Sequence, residues 1–120
     1  MINLDVLNKI TTCLSDKKAD NIVAYDMDGF SALTSCILVV TAKNTIHAKS
    51  LFEELNHYYR THLKHSEDFD PLRLSGNADS GWVVVDMNDI LIHIILSDLR
   101  EFYALDEVYK GRSQLVTHHS

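Results

Sequence analysis

The sequence predicts an α/β fold, a single domain in which helices flank a mixed β-sheet, and three observations carry that expectation. The chain has 120 residues, 46% of them hydrophobic, with one Pro and four Gly, which is enough apolar material for one core and too little chain for two. Apolar residues at helical spacing alternate with short Val- and Ile-rich runs. One segment, Trp82 to Ile95, holds two β-prone runs around a polar turn, so an antiparallel pair accompanies strands that a helix connects.

Taken in order, Leu4, Leu7, Ile10 and Leu14 recur on one side of residues 3 to 16, opposite Asn8, Lys9, Thr12 and Ser15, as an amphipathic first helix requires. Ile22-Val23-Ala24-Tyr25 is a first strand ending at Asp26, before the turn chemistry of Asp28-Gly29. Cys36 to Thr41 is apolar on both parities, the pattern of a strand covered on both faces near the sheet centre. Asn44 or Thr45 caps a second helix running to about Leu63, with Ala48, Leu51, Phe52, Leu55, Tyr59 and His62 on one face. After an aperiodic polar stretch, Pro71 opens the short strand Leu72-Arg73-Leu74.

The Trp82–Ile95 segment reads as a hairpin. With Met87 and Asn88 as the turn, Asp86 pairs with Asp89, Val85 with Ile90, Val84 with Leu91, Val83 with Ile92 and Trp82 with His93. One face then carries Val83, Val85, Ile90, Ile92 and Ile94, while the other mixes Trp82, Val84, Asp86, Asp89, Leu91 and His93. Ser97 caps a last helix with Leu99, Phe102, Tyr103, Leu105, Val108 and Tyr109 on a broad apolar face, and Gly111 ends it. The domain is thus expected over residues 1–111, with 112–120 as a disordered tail.

Eleven Lys+Arg against seventeen Asp+Glu give a net charge of −6. That balance suits a basic protein partner and speaks against sequence-specific nucleic-acid binding. No run approaches the ~20 apolar residues that span a bilayer, and the N-terminus lacks a signal-peptide pattern, so a cytoplasmic protein with reduced Cys13 and Cys36 and no membrane attachment is expected.

Three constellations compete for function. The mixed hairpin face combines an indole, an imidazole and two carboxylates, the residue types of a protein-binding hot spot; Leu74 and Ser75 on the preceding strand are its neighbours. A plainer reading packs Trp82 under the last helix, makes Asp86 and Asp89 turn formers and His93 a core histidine; spacing alone leaves both open. A second constellation, Asp26, Asp28 and Asp86 at strand ends, is the residue type of a metal-dependent nucleotidyltransferase-like enzyme, although no Gly-rich phosphate cradle accompanies it. Third, the seven histidines lack H-E-x-x-H spacing, and no G-x-S-x-G elbow presents a nucleophile. Outside the second reading, nothing in these patterns calls for a metal or another cofactor.

From Ala19 to about Lys110 the chain resembles the ribosomal silencing factor family, also called the Iojap family. The resemblance rests on Ala19-Asp20-Asn21-Ile22, Asp26 with Gly29-Phe30-Ser31, Thr34-Ser35-Cys36, Thr41, His47, Gly76, Trp82-Val83-Val84-Val85-Asp86, Asp89-Ile90-Leu91-Ile92-His93 and Arg100-Glu101-Phe102-Tyr103-Ala104-Leu105. It implies a nucleotidyltransferase-like shape without catalysis, a homodimer, and binding to the fourteenth protein of the large ribosomal subunit. Occupying that protein blocks association of the small and large subunits and represses translation under nutrient limitation. Ala42, Asn44, Ile46, Asn88 and Tyr109 depart from the family pattern. With the resemblance added, Trp82, Asp86, Asp89, His93, Leu74 and Ser75 become the expected partner-binding residues, on a sheet face that looks outward. A dimerisation module that uses the same face is the blander expectation.

Overall fold

A computed structural model describes residues 4–29, 34–63, 73–87, 89–111 and 114–118. The helix α1 (Leu4–Asp16) leads into β1 (Asp20–Asp26), β2 (Cys36–Ala42) and α2 (Thr45–Tyr58). A π-helical turn, Tyr59–Leu63, extends α2 before β3 (Arg73–Asn77), the 3-10 turn Ala78–Ser80, β4 (Trp82–Met87) and β5 (Ile90–Leu96). Two short helices, α3 (Ser97–Phe102) and α4 (Leu105–Val108), precede β6 (Gln114–His118). The strands form one sheet in the order β3-β4-β5-β2-β1-β6, in which β2 and β5 run parallel and every other neighbouring pair antiparallel. The expected mixed sheet flanked by helices is what forms.

All seven residues of β2 are buried, which is why its apolar side chains occupy both parities: helices lie on both of its sides. On one side Leu7, Ile10 and Leu14 of α1 and Ala48, Leu51 and Leu55 of α2 close over Ile22, Leu38, Val40, Val85, Ile92 and Ile94. Asn44 starts α2 by accepting a hydrogen bond from the His47 amide at 2.7 Å, satisfying one of the donors a helix start leaves open. On the other side α3 and α4 cover only part of the sheet, over Val23, Tyr25, Ile37, Val39 and Ile95.

Four expectations need correction. The hairpin turns later than its sequence suggested: Met87 pairs with Ile90 and Trp82 with Ile95, so each β4 residue meets a partner two positions further along β5. This register buries Met87 in the core and leaves Asp89 to the turn. Because side chains alternate with period two, a two-residue slip keeps every ladder residue on its expected face.

The last helix is broken. Ala104, at φ 47°, stands in the left-handed region between α3 and α4, and Phe102, Tyr103 and Val108 are exposed rather than packed. Ser97 is not the cap either; Leu96 holds that position without a side-chain hydrogen bond. Finally, the expected disordered tail contains β6, which pairs with β1 from Ile22↔His118 to Tyr25↔Gln114. The backbone of β1 would otherwise be an open sheet edge, and Val116 and Thr117 suit a strand there.

Candidate protein-docking face

Trp82 lies at the start of β4 on the side of the sheet that α3 and α4 only partly cover, half-buried against their residues. The tight turn ahead of it depends on Gly81, at φ 85°, where a Cβ would press on the Leu96 and Leu99 side chains at 2.9 and 3.0 Å. Gly76 of β3, at φ 73°, is held just as closely, since a Cβ there would strike the Trp82 carbonyl oxygen. The backbone on either side of the indole is therefore specified by glycines.

The indole is tied to His93 by the hydrogen bond its Nε1–H donates to Nδ1 at 3.0 Å. The slipped register makes this a diagonal contact, since Trp82 faces Ile95 and His93 faces Val84. Because indole nitrogen only donates, Nδ1 must accept, which leaves the proton on Nε2, 3.4 Å from the Tyr109 hydroxyl. His93 is 8% exposed, and burial pushes its pKa down to about 4, so it is neutral at physiological pH. It is no surface contact; it holds Trp82 in one orientation from beneath.

The other expected residues divide. Asp86 and Leu91 are half-buried partners across the ladder on the indole's side, and Val84 stands between Trp82 and Asp86. Asp89 is exposed, with its backbone carbonyl accepting from the Ser35 and Cys36 amides at 2.9 and 3.1 Å and from Thr34 Oγ1 at 2.9 Å. Ser75 is exposed and pairs with Val84, a member of this face, whereas Leu74 pairs with Val85, a member of the opposite one. The side chain of Leu74 is outside the described part.

What the sequence reading missed is a clasp beside this face. Arg100, 5% exposed, donates from Nε and Nη2 to the two carboxylate oxygens of Asp106 at 2.7 and 2.8 Å. Its Nη1 donates to the Asn21 carbonyl at 2.6 Å and to Thr41 Oγ1 at 2.9 Å. Tyr25, buried in β1, donates its hydroxyl to Asp106 Oδ1 at 2.6 Å. The Arg100 hydrogen bonds hold the Asp106 carboxyl below its usual range, and burial, with Asp106 adding to it, raises the Tyr25 phenol. Residues six apart are rotated by roughly 120° around a continuous helix, so this bidentate pair requires the bend at Ala104. No periodicity announces such a contact; its signal is only the Arg100…Asp106 pair within a segment otherwise read as one apolar face.

The rings form a row across the clasp and the sheet. Centroids lie 4.9 Å apart for Phe102–Tyr103, 5.3 Å for Tyr103–Trp82, 5.9 Å for Trp82–His93, 6.5 Å for His93–Tyr109 and 5.2 Å for Tyr109–Tyr25. The row runs from solvent at Phe102 to the buried Tyr25.

The carboxylates of the enzyme reading do not converge. Asp26 is matched through Cys36 and Ile90 to Met87, three strands away and on the opposite side of the sheet from Asp86; three strand spacings are about 14 Å. Asp26 instead accepts from the Asp28 amide at 3.0 Å, a turn-forming bond. Among the described residues no group of three or more His, Cys, Asp or Glu could hold a metal ion, and no helix is long and apolar enough to cross a membrane. Cys36 is buried, with its thiol pushed up to about 12 by that burial, and burial also raises Cys13.

A family model described as "Ribosomal silencing factor during starvation" matches residues 3–119. The chain belongs to the ribosomal silencing factor family. Among curated relatives, the ribosomal silencing factor of Halalkalibacterium halodurans is 25% identical over 109 residues, covering 91% of this chain and 89% of that protein. That of Bacillus subtilis is 25% identical over 107 residues, covering 87% and 84%. A crystal structure of a Chromobacterium violaceum protein superposes with a TM-score of 0.77 at 21% identity, covering 97% of this chain and 94% of that one. The same fold appears in a Bacillus halodurans crystal structure, at a TM-score of 0.74, 24% identity and coverage of 89% and 95%. Members of the ribosomal silencing factor family are named as regulators of the ribosome, not for a reaction. The family match takes in β6, and so extends beyond the stretch in which the sequence motifs were legible.

Proposed function

We propose that this chain is a cytoplasmic repressor of translation that docks on the fourteenth protein of the large ribosomal subunit and, by occupying it, keeps the small subunit from joining. The observation that carries the reading is the family match over residues 3–119. The site assigned to it is the partly open sheet face, where Trp82 is the apolar anchor, Asp86 and Asp89 meet Lys or Arg of the partner, Ser75 lies at the edge, and His93 orients the indole from below. A net charge of −6 favours approach to a basic ribosomal protein. The mechanism is steric exclusion, needs no reaction and no cofactor, and operates in a homodimer.

Mixing the protein with isolated subunits tests this directly. Sedimentation is expected to show fewer joined particles, with the protein travelling with the large subunit. Joining at the normal level, with the protein left at the top of the gradient, refutes it.

A further inference from the structure

The α3–α4 bend puts two aromatic rings into solvent in a chain that had a simpler alternative. A continuous helix from Ser97 would have turned Phe102 and Tyr103, three and four residues on from Leu99, toward the sheet with it. Instead, Ala104 adopts a left-handed conformation at φ 47°, which is unfavourable for a residue with a Cβ, and the Arg100–Asp106–Tyr25 clasp holds it there. The result leaves Phe102 78% and Tyr103 53% exposed. Phe102 meets Tyr103 edge-on, with the ring planes at 83°, and Tyr103 in turn contacts Trp82. The exposed pair is thus continuous with the indole of the proposed docking face and rigidly mounted beside it.

We infer that the docking surface for the basic ribosomal partner continues from the sheet onto this bend, with Phe102 as a second anchor and the Arg100–Asp106 pair as its positioning device. The inference rests on the reading of the function given above and adds residues that it did not contain. Charge selects the occupant. Asp98 lies four residues before Phe102, on the same face of α3, and is exposed, as is the neighbouring Glu101. An incoming Lys or Arg therefore finds a carboxylate beside a ring face, where ion pairing and cation–π attraction act together. Arg100 itself is withheld from the partner, because it is 5% exposed and four of its five N–H donors already make internal hydrogen bonds. Its role is to fix the geometry of the bend.

The test titrates purified large subunits with the full chain and with Phe102→Ala, Phe102→Leu and Trp82→Ala, reading co-sedimentation and, separately, the protein's own mass and melting temperature. Phe102 is exposed, so its truncation is expected to leave melting unchanged while weakening binding about tenfold or more, and Leu is expected to restore part of the loss. If Trp82→Ala weakens binding and Phe102→Ala does not, the bend is no part of the surface and the sheet-face reading stands alone. If neither variant changes binding, the sheet-face reading fails and this inference falls with it. If Phe102→Ala lowers the protein's mass from dimer to monomer while large-subunit binding is unchanged, the occupant is a second copy of the chain and the inference is overturned. Loss of binding in Phe102→Ala alone supports the bend and removes the sheet from the site.

Discussion

The two sides of this sheet are built from the same strands and follow different rules. Under α1 and α2 the side chains are aliphatic and sealed: Leu38, Val85, Ile92 and Ile94 have no exposure at all. Under α3 and α4 the sheet carries Tyr25, Trp82 and His93, with Tyr109 packed on them from the end of α4, and the cover stops short of Val84 and Asp86. A sealed aliphatic layer provides stability and presents nothing to a partner. A layer of rings with polar handles gives up some of that burial, and uses hydrogen bonds such as Trp82–His93 to hold its rings in place. Damage to the first should therefore appear in folding, and damage to the second in binding.

The largest expected effect breaks the sealed side. Replacing Ile92 by Ala removes three buried carbons at a site with no exposure, and truncations of this kind cost about 2–5 kcal/mol. Denaturant unfolding should show a loss of about 3 kcal/mol, with binding by the remaining folded fraction unchanged. A loss below about 1 kcal/mol would mean that the layer is not packed as described.

Acid sharpens the comparison, because among the described residues only the ring side holds a buried histidine. The pKa of His93 is about 4 in the folded protein, against about 6.5 for an unhindered imidazole. Between those values the unfolded chain binds the extra proton and the folded one does not, so stability falls as pH drops from about 6.5 toward 4 and is fully retained above that window. The shift corresponds to an acid loss of about 3 kcal/mol. His93→Gln, which cannot titrate, should flatten this slope. Trp82 is the only tryptophan, so its emission reports the same event: a protonated His93 can no longer accept the indole hydrogen bond. A transition near pH 6.5 instead would place His93 in water.

Trp82→Ala takes the comparison to the open side itself. The indole is half-buried, so some stability is lost, but the larger change is expected in affinity for the large subunit, by about 2 kcal/mol. A variant that stays folded and binds like the parent would remove the anchor from this face.

How much of this contrast was legible in the sequence follows from the periods involved. Strand alternation sorted Val83, Val85, Ile90, Ile92 and Ile94 from Trp82, Val84, Leu91 and His93 correctly, and the sorting survived an error in the turn because a slip of two residues changes partners without changing faces. The same degeneracy hid the diagonal Trp82–His93 contact. The bend was invisible for another reason: Tyr25 and Asp106 are 81 residues apart, and no local pattern encodes a helix interrupted to satisfy a distant phenol. Strand β6 escaped notice because its place is set by the edge of β1 as much as by its own residues. Trp82, Asp86 and Asp89 were legible as a candidate site from residue type alone, whereas the burial of His93 and the exposure of Phe102 and Tyr103 required tertiary structure.

The smallest expected effect tests what the charge on the open side is for. Asp89 is exposed at the hairpin turn, and the hydrogen bonds that fix its position reach its backbone carbonyl, from Thr34, Ser35 and Cys36. Asp89→Ala therefore deletes a carboxylate and leaves those bonds in place, so stability should change by less than about 0.5 kcal/mol, as for surface sites in general. If the face meets a basic partner, the lost charge should slow association and flatten its dependence on salt, with dissociation barely altered. Stopped-flow binding at two ionic strengths separates these quantities. An unchanged association rate at low salt would mean that Asp89 lies outside the contact, and that recognition on this side of the sheet depends on the rings alone.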